Sequence, residues 1–226
     1  ARGRVAVFQG DRLNRIAQLK PAMYLRGVEQ ILLDMSLQPE IAQAIFSRIR
    51  DFYLAYAERI LEAARGNLDL VLTGDDFGAQ TGPMVSPRMW ADLLGDGFGR
   101  YIALIHSYGV RVMHHTCGAV APLVPLLIDR GLDVLQSLQP EAAGMDACAL
   151  KAAYGARLSF HGGLSIQQTL PNGAEEDVRR EVRERVAALA PGGGYILGAS
   201  HNIQADTPVR NVLALLDAYQ RYGRYR

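Results

Sequence analysis

Between Leu68 and the C-terminus one pattern keeps returning: a short apolar run, a loop of glycine and polar residues, then a stretch with apolar residues at helical spacing. The runs are Leu68-Asp-Leu-Val-Leu-Thr73, Val110 to Thr116, Asp133-Val-Leu-Gln-Ser-Leu138, Arg157-Leu-Ser-Phe-His161 and Tyr195-Ile-Leu-Gly198. A strand with one wet face alternates apolar and polar side chains, whereas a near-continuous apolar run is buried on both faces. Parallel strands covered by helices follow from that pattern. Arg4-Val-Ala-Val-Phe-Gln-Gly10 adds one more short strand, followed by Asp11 and a polar stretch that reads as a loop on the substrate side.

The helical stretches are equally regular. Met23 to Met35 and Ile41 to Ala64 form two blocks, with Pro39 in the first turn of the second and Gly66-Asn67 as its stop. Ser86-Pro87 caps and starts a helix running to about Tyr108. Val120 to Arg130, Asp146 to Tyr154, Glu175 to Leu189 and Pro208 to Tyr222 complete the series.

Polar and glycine-rich residues gather after the strands and before the helices: Asp75, Asp76, His115, Cys117, Gln139, His161 and His201. A (β/α)8 TIM-type barrel builds its sites on that face, because every strand delivers its C-terminal end to one mouth. A doubly wound sheet concentrates its chemistry at one switch point instead. The succession of strands favours the barrel, but the runs fall short of eight and such barrels take about 250 residues. The expectation is a single α/β barrel domain over residues 1–226, with its first βα units absent from this sequence or supplied differently. A start at Ala1 rather than Met fits a piece of a longer protein. Exposed sheet edges would make a homodimer one means of closure.

Composition narrows the class of partner. A chain of 226 residues, 49% hydrophobic and with a formal net charge of +1, carries a substantial core and no basic block of the kind that tracks nucleic acid or a membrane surface. A small molecule is the expected partner. Two cysteines in separate elements, and no apolar stretch of signal-peptide or membrane-spanning length, lead us to expect free thiols and a cytoplasmic setting.

Val110-Arg-Val-Met-His-His-Thr-Cys-Gly118 is the richest segment chemically. Alternation puts His115 and Cys117 on one face and His114 and Thr116 on the other, so a nitrogen and a sulfur donor stand side by side. Such a pair can hold two corners of a tetrahedral zinc site if other strands supply the rest. It can equally be a small buried thiol beside hydrogen-bonded histidines. Of Asp75 and Asp76, only one can look into a barrel; Asp76 shares a face with Leu70 and Leu72. One would serve as a general acid or a ligand, the other as a cap for backbone N–H groups. Gln80 and Gln139 are candidate hydrogen-bond donors to a substrate, and equally plain rim polarity. His161, read as standing at a strand end before Gly162-Gly163, is a candidate substrate contact there, since glycine lets backbone approach a ligand closely. His106, His114 and Cys148 read as packing residues, Cys148 as core beside Ala147 and Leu150.

From about Leu25 onward the chain resembles the uroporphyrinogen decarboxylase superfamily, which also includes zinc-dependent corrinoid methyltransferases. The resemblance rests on Leu25-Arg-Gly27 with Asp34 and Pro39-Glu40, Gly74-Asp-Asp-Phe-Gly-Ala-Gln80 with Ser86-Pro87, and His115-Thr-Cys-Gly118. It continues through Leu138-Gln-Pro140, Phe160-His-Gly-Gly163 and His201-Asn-Ile-Gln-Ala-Asp-Thr-Pro208 with Asn211. The order and spacing of these pieces carry it, and the fold it implies is again a (β/α)8 barrel.

The resemblance implies two chemistries. Methyltransferase-like members bind zinc through a His-x-Cys pair and a cysteine in the last strand loop. His115 and Cys117 match the pair, and the third position falls on His201, giving a His, Cys, His set. The implied reaction is zinc-dependent methyl transfer or demethylation of a small molecule, with a corrinoid on a partner protein as methyl donor or acceptor. Decarboxylase-like members act without a metal on a porphyrinogen polycarboxylate, with an aspartate stabilising positive charge and a histidine, matched by His201, binding an acidic group. Their arginine-rich N-terminal segment has no counterpart here, and Arg12 and Arg15 are the main loop arginines. A third alternative is a non-catalytic barrel for binding or oligomerisation. The candidate catalytic residues are therefore Asp75, Asp76 and His201; Gln80, Gln139, His161 and Gly162 are candidates for substrate contact.

Overall fold

The computed structural model describes residues 3–10 and 15–224. Asp11 and Arg12 lie outside them. The chain divides into two compact units, one of residues 1–77, 83–116 and 122–133, the other of residues 78–82, 117–121 and 134–226.

The first unit opens with β1 (Val7–Gln9), followed by α1 (Leu19–Arg26), α2 (Val28–Leu37) and α3 (Pro39–Ala64). The expected continuous block from Met23 to Met35 is in fact two helices. Gly27 sits between them at φ +89°, outside helical space and open to glycine at no steric cost. In α3, Ala42, Phe46, Ile49, Tyr53, Ala57 and Leu61 recur every three or four residues and are all buried. Proline opens this helix and Arg65 closes it in the left-handed region.

Next come β2 (Leu70–Gly74), α4 (Pro87–Leu93), α5 (Gly95–Ser107), β3 (Arg111–His115), a short tight turn at Ala121–Leu123 whose first residue belongs to the other unit, and α6 (Val124–Asp129). Ser86 Oγ accepts from Met89 N–H at 3.1 Å, so the expected cap is in place. The helix expected to run on to Tyr108 is interrupted at Leu94, just before Gly95-Asp-Gly97, where two glycines weaken helical continuity. β1, β2 and β3 lie side by side and parallel, with Val7 opposite Leu70 and Leu70 opposite Arg111.

An aromatic cluster locks β3 onto the helices of this unit. Phe77 stacks on His114 at 5.3 Å, Phe98 meets the same ring edge-on at 4.9 Å, and the fully buried Trp90 packs on both phenylalanines. His114 Nδ1 bonds Thr73 Oγ1 at 2.8 Å, and burial pushes its pKa down to about 3, so it stays neutral. His114 is a core residue, and His106, bonded to Asp133 at 2.7 Å, is a structural pair.

The second unit contains β4 (Val134–Leu138), α7 (Ala147–Tyr154), β5 (Ser159–Leu164), α8 (Thr169–Asn172), α9 (Glu175–Leu189), β6 (Tyr195–Ala199) and α10 (Val209–Tyr222). Its three strands are also parallel and adjacent in sequence order. Leu164, Leu170, Val178, Val182, Ala214, Leu215 and Ala218 form its core, each fully buried side chain of this kind stabilising by about 1.5 to 3 kcal/mol for the larger ones. Asn211, completely buried on α10, donates to the carbonyls of Leu170 (2.9 Å) and Gly173 (2.8 Å), the groups that α8 leaves unpaired at its end.

Two expectations need correction in this unit. β5 continues through Gly162-Gly163 to Leu164, so His161 is mid-strand and not at a strand end. Cys148 is exposed, because a residue between Ala147 and Leu150 on α7 is rotated off their buried face.

Candidate metal and ligand site

Two glycines prepare the place where Cys117 sits. Gly118, at φ +80°, lies so close to the loop after β2 that an added Cβ would stand 2.6 Å from Ala79 O, and one on Gly78 would stand 2.6 Å from Cys117 O. Ala119 N–H closes the contact by donating to Ala79 O at 2.8 Å. Two backbones this close leave room for no side chain other than hydrogen. The loop carrying Cys117 is thereby clamped.

A cavity of about 300 Å³ opens beside it, in the range of small-molecule pockets. Its walls are Gly78, Ala79, Gln80, Cys117, Gly118, Gln139, Ile166, Gln167, Ser200 and His201. None of these is an arginine or lysine. The polar wall is a chain of amides: Gly118 N–H donates to Gln139 Oε1 at 3.0 Å, Gln139 Nε2 to Gln80 Oε1 at 2.9 Å, and Gln80 Nε2 to Gln167 Oε1 at 3.0 Å. Gln80 and Gln139 thus face the cavity while bonding to each other.

Cys117 supplies a sulfur donor to this cavity. Its thiol lies within 4.8 Å of a ring nitrogen of His201, which follows β6 in the same unit, and His115 stands two residues earlier in the sequence. Zinc holds nitrogen and sulfur at about 2.0 to 2.3 Å, so tetrahedral donors stand about 3.3 to 3.8 Å apart. Side-chain rotation covers the remaining distance, and two imidazoles and a thiol are ligand types that zinc accepts. The residues fit such an ion, and a fourth position would be left for a ligand.

In the first unit, His115 Nε2 lies 3.6 Å from Asp76 Oδ1, and Asp76 is paired with Lys20 on α1. A carboxylate beside a metal-binding imidazole orients the ring and raises its basicity. Asp75 does something different. It is buried, and its carboxylate accepts from the backbone N–H groups of Gln18 (2.7 Å), Leu19 (3.1 Å) and Lys20 (2.6 Å) at the start of α1. Burial pushes its pKa up to about 6, opposed by those three donors. The adjacent aspartates therefore divide the work by environment: Asp75 caps α1, and Asp76 faces His115.

His161 and Gly162 do not line the cavity. His161 lies across Gly198 of β6, where an added Cβ would be 3.3 Å from the ring; its Nδ1 is buried without a partner, and burial lowers its pKa. Gly162 stands at φ +108° with its carbonyl bound by Tyr195 OH at 2.8 Å, and an added Cβ would be 3.2 Å from Leu138 N. Close approach does require the glycine here, and what approaches is protein backbone. Gln167, Ser200 and Lys20 were not singled out from the sequence. The signal for the first two was available, since both stand in polar segments directly after strands, as the other candidates do.

The family model for uroporphyrinogen decarboxylase (URO-D) matches residues 17–222. This chain belongs to the uroporphyrinogen decarboxylase family. The family member is 24% identical over 197 residues to a methylated-thiol–coenzyme M methyltransferase of Methanosarcina mazei, covering 87% of this chain and 49% of that protein. It is 22% identical over 192 residues to a uroporphyrinogen decarboxylase of Coxiella burnetii, covering 82% and 49%. The chain thus spans about half the length of the curated relatives it matches. Among solved structures, a methyltransferase from Methanosarcina mazei shares the fold with a TM-score of 0.74 at 21% identity, over 92% of this chain and 57% of the other. This likeness supports an α/β fold of parallel strands.

Proposed function

We propose that this uroporphyrinogen decarboxylase family member is an enzyme of methyl transfer or demethylation whose centre is a zinc site formed by His115, Cys117 and His201. The observation that carries the reading is the approach of the Cys117 thiol to a ring nitrogen of His201 at a cavity whose walls, among the described residues, include no arginine or lysine. A zinc ion bound there would supply Lewis acidity, lowering the pKa of a ligated thiol or oxygen group and making it nucleophilic toward a methyl carbon. His115 would hold its ring in place against Asp76, whose carboxylate pairs with Lys20. Clamping by Gly78 and Gly118 would fix the Cys117 sulfur. The methyl donor or acceptor would be a corrinoid carried by a partner protein, and the complete molecule a full (β/α)8 barrel in a cytoplasmic setting. Among the described residues no helix is long and apolar enough to cross a membrane.

Metal-free decarboxylation of a porphyrinogen-like polycarboxylate is the rival reading, and Arg15 is the observation in its favour. Its side chain passes over Gly74, where an added Cβ would be 2.7 Å from Arg15 Cδ, and its Nε is buried without a partner. One guanidinium can bind one carboxylate, and a substrate bearing many would need several. Incubating the native protein with zinc, methylcobalamin and mercaptoethanol, with uroporphyrinogen in a parallel reaction, separates the two. Methyl transfer that Cys117→Ala abolishes supports our reading; carbon dioxide release from the porphyrinogen that Cys117→Ala leaves intact supports the rival.

A further inference from the structure

The amide chain in the cavity wall has a direction, and the direction is forced. The backbone N–H of Gly118 can only donate, so Gln139 must turn its oxygen toward it. Gln139 then has only its nitrogen to offer Gln80, which must answer with its oxygen. By the same step Gln80 gives its nitrogen to the oxygen of Gln167. Each amide orientation follows from the one before it, with no ambiguity between oxygen and nitrogen. The chain therefore ends in the Nε2 hydrogens of Gln167, and among the described residues no acceptor faces them.

The backbone around Gln167 is also held. Ser165 Oγ accepts from Gln168 N–H at 2.9 Å and Thr169 N–H at 3.3 Å, and Gln167 O accepts from Asn172 Nδ2 at 3.2 Å. Aligned hydrogen bonds polarise one another, which strengthens the last donor in the chain. Gln167 lines the same cavity as Cys117 and His201.

We infer that Gln167 is a specificity residue: the amide chain Gly118, Gln139, Gln80, Gln167 presents a terminal N–H donor that selects ligands bearing a carboxylate, whose other end lies toward Cys117. The inference rests on the proposed role of this cavity as the ligand site, and adds the class of ligand. A hydrogen bond to a charged acceptor changes affinity by about tenfold or more.

The test titrates zinc-loaded native protein with mercaptopropionate and with propanethiol, which share the thiol and chain length and differ in the carboxylate. Mercaptopropionate is expected to bind about tenfold tighter. Gln167→Leu should weaken mercaptopropionate binding about tenfold more than propanethiol binding, and Gln167→Glu, which ends the chain in an anion, should reverse the preference. Propionate is then added to metal-stripped protein while the Gln167 side-chain amide signals are followed by NMR. If neither thiol binds but propionate shifts those signals, the metal reading fails and the role of Gln167 stands. A preference for mercaptopropionate that survives both substitutions, or propionate without effect on the Gln167 signals, overturns the inference.

Discussion

Gly78 and Gly118 occupy each other's side-chain space: a Cβ on either would stand 2.6 Å from backbone of the other's loop. This contact sets the position of Cys117, one residue before Gly118. Gly118→Ala adds a methyl group both at a positive φ and against Ala79 O, at an expected cost of about 2 to 4 kcal/mol. The expected outcome by urea denaturation is a lower midpoint with an unchanged slope, accompanied by weaker zinc retention.

The two aspartates of the β2 loop should respond in opposite ways. Removing the Asp75 carboxylate strands two buried backbone donors and a partly buried one at the start of α1, so Asp75→Ala should lose about 2 to 4 kcal/mol in thermal or chemical denaturation. Asp76 is partly solvent-exposed, and Asp76→Asn should change stability by less than about 1 kcal/mol. Its effect is expected instead on metal affinity, through the orientation of His115. Equal destabilisation by both variants would contradict the division of roles.

Much of this was legible in the sequence, and the misses have physical causes. The parallel α/β arrangement followed from near-continuous apolar runs such as Leu70 to Leu72, because burial on both faces leaves a direct mark on composition. The faces of His114 and His115 followed from strand alternation alone. Asp75 and Asp76 could not be told apart in this way, because β2 ends at Gly74 and alternation stops with it; the N–H groups that Asp75 binds lie more than fifty residues away in the chain. The length of β5 was missed because glycine ordinarily marks the end of a strand, whereas Gly162 and Gly163 continue it under the hold of Tyr195 OH and Arg185 Nε. Cys148 was misplaced because a thiol's apolar character says nothing of which side of a helix it occupies.

Asn211 ties α10 to the end of α8 through two buried hydrogen bonds. Asn211→Leu leaves two carbonyls without donors, and we expect a loss of about 2 kcal/mol or more, read as a fall in melting temperature. Asn211→Asp should be at least as damaging, since an anion would face both carbonyls.

His161 supplies a pH dependence. Its folded pKa lies below the ordinary 6.5 because burial disfavours the imidazolium. As pH falls through about 6.5, the unfolded chain takes up a proton that the folded chain refuses, so stability present above that pH is lost below it. Unfolding free energies of wild type and His161→Gln, compared between about pH 7.5 and about pH 5.5, should show a steeper acid loss in the wild type. Parallel pH profiles would remove His161 as the cause.

Methyl transfer by this protein requires that Cys117 and its neighbouring imidazoles grip a cation. Elemental analysis of the native protein, after zinc loading and exhaustive dialysis, measures this directly. We predict one zinc per chain, falling to near zero in Cys117→Ser and in His201→Ala while both variants remain folded by circular dichroism. Wild-type protein that emerges folded and free of zinc, or variants that keep the full complement, would contradict it.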